Sequence, residues 1–215
     1  MNELIFVIFQ LAVLLFSVIV HEVAHGVVAL RFGDPTAKYA GRLTLNPSKH
    51  LDPVGSFFLP LFMLFVTQGR GPILGWAKPV PYNPMHLKNP RRAAGLIALA
   101  GPLSNIALAV AFGVLLRILP LFPFSATTAA LGLFFSVIIS INVLLAIFNL
   151  LPLPPLDGSK VLFAVLPHRY RELEIFLTRY GFIVLLFIIF FGFTSFIGPV
   201  IDFVYRIIAG SAATF

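Results

Sequence analysis

Four stretches of this chain, residues 4–30, 93–119, 127–150 and 180–209, are apolar for longer than the roughly 18 to 20 residues that cross about 30 Å of hydrocarbon as a helix. Hydrocarbon offers no water to backbone N–H and C=O groups, so a crossing segment must close its own hydrogen bonds. Apolar runs of this length do so as helices, which restricts the chain to a multi-pass helical bundle. Composition agrees: of 215 residues, 59% are hydrophobic and 11% charged, against about a quarter charged in a soluble domain.

Shorter features complete the expected architecture. Residues 54–66 are apolar but too short for an ordinary crossing, which fits a re-entrant or thin-membrane helix. After the third span, Pro152, Pro154 and Pro155 forbid continuous helix, and a short apolar piece follows at 161–166. Residues 36–52 are polar and basic, with an alternation through Tyr39, Arg42 and Leu43-Thr44-Leu45 that predicts a short extended segment. A second extended stretch is expected at Trp76-Ala77-Lys78-Pro79-Val80, and residues 167–179 read as a solvated connector. The last apolar run is interrupted by Gly192 and Gly198-Pro199, as one kinked helix or two pieces. The fold class is therefore an all-α multi-pass membrane protein of about four to six transmembrane or re-entrant helices, with a small β element at the membrane surface. It reads as one domain over residues 1–215, with its core at 4–166 and C-terminal helices at 175–209.

The net charge of +7 comes from basic residues lying between apolar runs. They form no stripe with interleaved aromatics, which excludes nucleic acid as a partner and assigns them to the bilayer surface. The basic segments at 31–49, 70–92 and 169–179 are all cytoplasmic by the positive-inside rule if 54–66 does not cross. Residues 1–20 lack a basic leader and a small-residue cleavage site, so they are expected to stay as a helix.

Chemistry concentrates in the first span, at His21-Glu22-Val23-Ala24-His25. Two histidines four apart share one helix face and can bind one zinc ion, with the intervening carboxylate placed to act on water. The alternative is interhelical hydrogen bonding, yet three ionisable groups in five residues of hydrocarbon are hard to justify by packing. There is no cysteine, so a third ligand must be His, Asp or Glu, and Asp157 beside the proline break is the candidate. Asp157-Gly158-Ser159 also reads as a turn with Asp157 capping the next helix. Asn149, at the end of the third span, is placed to donate to a developing oxyanion or simply to end its helix. Asn105 reads as an interhelical hydrogen-bonding group, and His50, His86 and His168 as surface histidines.

Taken together, His21-Glu22-Val23-Ala24-His25, Gly101-Pro102-Leu103-Ser104-Asn105 and Asn149 through Pro152 to Leu156-Asp157-Gly158 resemble the site-2 protease family of intramembrane zinc metalloproteases. The resemblance covers residues 4–166. It implies one zinc ion held by His21, His25 and Asp157, Glu22 as catalytic carboxylate, Asn149 and Asn105 near the substrate, and a transmembrane protein as that substrate. A prokaryotic plasma membrane is the expected location. Many members carry a peptide-binding or nucleotide-sensing domain, for which 215 residues leave no room. Residues 76–80 are then expected to offer an edge to the unwound substrate, and water to enter from the side carrying residues 36–52. The competing readings are a metal or proton transporter and a non-catalytic zinc scaffold.

Overall fold

The computed structural model describes residues 3–58, 62, 63, 65, 66 and 78–210. Its long elements are α1 (Glu3–Arg31), α2 (Pro90–Ile118), α3 (Ala126–Asn149), the short α4 (Asp157–Val165), α5 (Arg171–Phe187) and α6 (Gly198–Ala209). Among the described residues, four segments are long and apolar enough to cross a membrane: α1, 90–121, α3 and 168–193. The chain is an integral membrane protein of the all-α class, as its apolar runs imply.

Local chemistry sets the helix ends. Asn89 caps α2 by accepting from the Arg92 N–H, and Pro90 occupies the first turn, where a missing N–H costs nothing. A capping box between Ser125 and Thr128 starts α3. Past α5 the helix widens into π-type turns over Ile188–Ile197 before Gly198-Pro199 opens α6, so the last apolar run is two α-helical pieces joined by a distorted one.

α2 is the central helix. Its far half packs with α3 and α6 around Ala109, Leu116, Ile139, Val143 and Ala209, all fully buried. Its near half meets α1 through Ala29, Ala93 and Ile97. Small residues allow these approaches: a Cβ on Gly95 would collide with Ala164 of α4, and one on Gly113 with Ile208 of α6. The outward faces carry Phe182, Ile183, Phe187 and Phe191, each more than half exposed, as lipid-facing helices require.

Several expectations are corrected. Among the described residues there is no β-strand. Thr36–Tyr39 forms one helical turn and Pro47–Lys49 a 3-10 turn capped by Asn46. The alternation at 39–45 is broken because local side chains capture the backbone: Asp34 accepts from the Thr36 N–H, and Gly41 turns the chain at positive φ. Trp76 and Ala77 lie outside the described residues, and of 54–66 only part is described, with π-type turns over Pro53–Phe58. The expected connector at 167–179 is mostly helix, because Arg171, Glu174, Ile175, Thr178 and Arg179 share a helical stripe that extends α5.

His50 is not a surface group, and His86 is exposed but tied to a buried carboxylate. His50 is fully buried, with Nε2 donating to the Thr44 carbonyl at 2.8 Å and its own carbonyl accepting from the Lys78 N–H. His86 Nδ1 lies 2.8 Å from buried Asp34, which also accepts from the Asn83 N–H and from Thr36. Burial alone would raise the Asp34 carboxyl, but hydrogen bonds from Thr36, His86 and Asn83 outweigh it and hold the group at about 2. A carboxyl held below its ordinary 3.8 contributes stability that is complete above that value and is lost as pH falls through about 2. Thermal unfolding in detergent between pH 5 and 2 is therefore expected to show a fall in wild type that Asp34→Asn reduces; equal slopes would remove this role.

Candidate metal centre

His21 and His25 lie on one face of α1, one turn apart, and that face is turned toward α2. The proline break after α3 reverses the chain so that Asp157 begins α4 against the same spot. Gly158 makes the reversal possible, since a Cβ there would strike the Leu150 and Leu151 carbonyls. Asp157 Oδ2 lies 3.0 Å from both His21 Nε2 and His25 Nε2, and Oδ1 accepts from Lys160 at 3.4 Å. No side-chain hydrogen bond from Asp157 caps α4. The three ligand-type atoms lie within 4.8 Å of one another, and this is the one such group among the described residues.

The protonation of both rings follows from their other nitrogens. His25 Nδ1 is 2.7 Å from the Ile97 carbonyl, which can only accept, so Nδ1 carries the proton. His21 Nδ1 is 2.6 Å from Asn105 Oδ1. The Asn105 amide has only one workable orientation, because its nitrogen faces two acceptors, Asn142 Oδ1 at 2.9 Å and the Ser17 carbonyl at 3.3 Å. Asn142 in turn donates to Ser17 Oγ at 3.0 Å. In neutral rings both Nε2 atoms then present lone pairs to a carboxylate oxygen. Three electron pairs converging without a proton between them are repulsive, and a cation resolves that. Zinc bonds near 2.0 to 2.1 Å at tetrahedral angles place ligand atoms about 3.3 Å apart, close to the 3.0 Å that separates Asp157 Oδ2 from each Nε2.

Gly101 keeps the space open. A Cβ on it would fall 2.5 Å from His21 Nε2 and 2.5 Å from His25 Nε2, so a bare backbone in α2 forms the floor of the site. Donor set, ring orientation and cradle all fit a zinc ion.

Glu22 lies beside this cluster and is half-buried. Its Oε2 accepts from the Val80 backbone N–H at 2.8 Å. Gly26, one turn further on, lets the loop lie close: a Cβ there would meet Leu43 Cδ2 at 2.6 Å and Val80 Cγ1 at 2.9 Å. The described end of the 76–80 segment thus touches the carboxylate and is not a strand. Asn149 is part-buried, and its Nδ2 donates to the Leu145 carbonyl within its own helix at 2.9 Å.

Asn142, Ser17, Gly26 and the Val80 amide were not singled out from sequence. The only signal for Asn142 was a buried-type amide in an apolar span, seven positions from the helix end. Asn105→Ala is expected to release His21 and weaken zinc binding by about 10- to 100-fold, the usual effect of losing a partner that orients a ligand. Competition with a chromogenic chelator measures it; unchanged affinity would show that Asn105 only packs.

A helical membrane bundle enclosing a His, His, Asp cluster beside a further half-buried carboxylate has the layout of a metal-dependent hydrolase working within the bilayer. Comparison with known proteins agrees. The model of peptidase family M50 matches residues 121–190, which include Asn149 and Asp157. YwhC of Bacillus subtilis, whose name marks it as a candidate zinc metalloprotease, is 43% identical over 176 residues, covering 80% of this chain and 76% of that protein. Rip2 of Mycobacterium tuberculosis, similarly named, is 36% identical over 160 residues, 74% of this chain but 57% of its own length. MJ0611 of Methanocaldococcus jannaschii is 48% identical over 68 residues, 32% of each chain. No solved structure matches. The chain belongs to peptidase family M50, the site-2 protease family.

Proposed function

We propose that this protein hydrolyses peptide bonds in or near the transmembrane helices of membrane-protein substrates, using one zinc ion held by His21, His25 and Asp157. The observation that carries the reading is the convergence of two Nε2 lone pairs and Asp157 Oδ2 over the Gly101 backbone. Zinc bound there supplies Lewis-acid activation of water and polarises the scissile carbonyl. Glu22 takes the proton from the attacking water and returns it to the leaving amine. The Val80 N–H holds one oxygen of that carboxylate, leaving the other to move the proton. Asn105 and the Ile97 carbonyl keep the two imidazoles in the tautomer that ligates through Nε2. Asn149 contacts the substrate carbonyl once the substrate displaces its bond to Leu145.

Residues 1–215 act as one metalloprotease unit in this reading. The similarity to proteins named as candidate metalloproteases from bacteria and an archaeon supports a prokaryotic plasma membrane as its location. A transport pathway would need further polar sites along the spans, and one metal-capable cluster among the described residues favours hydrolysis.

Purified protein in lipid is expected to cut a model single-span substrate, to stop on chelation and to recover with zinc, while Asn149→Ala lowers kcat more than it raises KM. Intact zinc-loaded protein that cuts no substrate in a varied panel would overturn the proposal.

A further inference from the structure

An open cavity of about 520 Å³ lies away from the metal centre, between the start of α2 and the first turns of α5. Its walls carry Arg91, His168, Arg171 and Arg179, with Glu174 as the one carboxylate. Arg91 is fully engaged: Nε donates to the Phe163 carbonyl at 2.6 Å, and Nη2 to the Leu166 carbonyl at 2.9 Å and to Glu174 at 3.2 Å. That pair neutralises itself. Arg171 and Arg179 are both exposed, and among the described residues neither forms an ion pair. Two uncompensated guanidinium groups therefore face one cavity from a single stripe of α5, eight residues or about 12 Å apart along the axis.

The setting identifies the ligand. Tyr180 follows Arg179 immediately, its ring 5.4 Å from that guanidinium, and the continuously apolar part of the span begins at Gly181. Aromatic and arginine side chains at this position mark the headgroup layer. The cavity thus opens where lipid phosphates are concentrated, and guanidinium forks match phosphate oxygens in geometry as well as charge. Its volume lies within the usual range of small-molecule sites, about 300 to 1,000 Å³.

The geometry points to a binding site for the phosphate headgroup of an anionic phospholipid, with Arg171 and Arg179 as its principal contacts. The site shares a wall with Arg91, which holds the carbonyl end of α4, the helix that begins with Asp157. Nothing in this inference depends on whether the protein is a protease.

The test is native mass spectrometry of the intact protein in neutral detergent doped with phosphatidylglycerol, phosphatidylcholine or inorganic phosphate. Wild type is expected to retain one phosphatidylglycerol in preference to phosphatidylcholine. Arg171→Gln with Arg179→Gln should bind it about thirtyfold more weakly, at roughly fivefold for each charge near the headgroup. Each single variant should lose about fivefold, which keeps the test usable if the double variant does not fold. Lys38→Gln with Lys88→Gln, outside the cavity, should change nothing. Equal retention by wild type and the single variants would overturn the proposal. So would an equal loss in the Lys38 and Lys88 control, or inorganic phosphate binding as tightly as the lipid.

Discussion

Glu22→Gln protein is expected to load one zinc ion as wild type does and to cleave substrate at least 10²- to 10⁴-fold more slowly, the range a positioned general base supplies. The amide keeps the length of the carboxylate, and its oxygen can still accept from the Val80 N–H that now holds Glu22 Oε2. Fold, loop position and the three proposed metal ligands are left as they were. Only the capacity to take a proton goes. Zinc content by atomic absorption, measured on the same preparation as cleavage of a single-span substrate, separates the two properties. Cleavage within tenfold of wild type would transfer the proton step to another group. Loss of zinc together with activity would make Glu22 a structural part of the site.

Gly101→Ala is expected to empty the metal centre, with zinc affinity falling by at least 100-fold and activity disappearing with it. The added methyl would sit 2.5 Å from both Nε2 atoms, well inside the ~3.5 Å at which non-bonded atoms make favourable contact. Neither ring has freedom to withdraw. His21 is tied through Nδ1 to Asn105, and His25 to the Ile97 carbonyl. Helix propensity works in the opposite direction, because alanine favours a helix interior over glycine by about 1 kcal/mol. Lost zinc binding in a protein that remains monodisperse and helical therefore reports the site itself. Normal zinc loading in this variant would mean that the metal does not sit over the α2 backbone.

What was legible in the sequence follows from periodicity and cost. A run such as 4–30 can satisfy its backbone in hydrocarbon only as helix, so the long spans were read directly. His21, Glu22 and His25 stand out because ionisable groups at that depth need a reason, and Asp157 because zinc needs a third ligand. The loops were less legible. The alternation from Tyr39 to Leu45 looks extended, but Asp34 and Asn46 take the backbone into turns, a competition that periodicity does not register. Residues 167–179 are largely exposed, as their charges imply, but charge alone does not register the helical phase that makes most of them the start of α5. Gly26 and Gly101 could not be weighed from sequence, since their importance lies in what stands opposite them across a helix interface. Asn142 belongs with them: its bonds to Asn105 and Ser17 join residues 37 and 125 positions apart.

That spacing has a consequence during synthesis. His21 and Asp157 are 136 positions apart, and ribosomes add about 5 to 20 residues per second, so α1 precedes Asp157 by on the order of 10 s. Throughout that interval α1 must enter and hold its place in the bilayer with its cluster lacking the aspartate. Insertion experiments put a charged group at the centre of a span at about 3 kcal/mol. α1 is well suited to bear it, since its apolar window is the most hydropathic of the four candidate spans. The surplus of leucine, isoleucine, valine and phenylalanine in α1 thus acts as ballast for the nascent chain. Polar replacements along that helix, even remote from the histidines, would first show as failed insertion, before any change in chemistry became measurable.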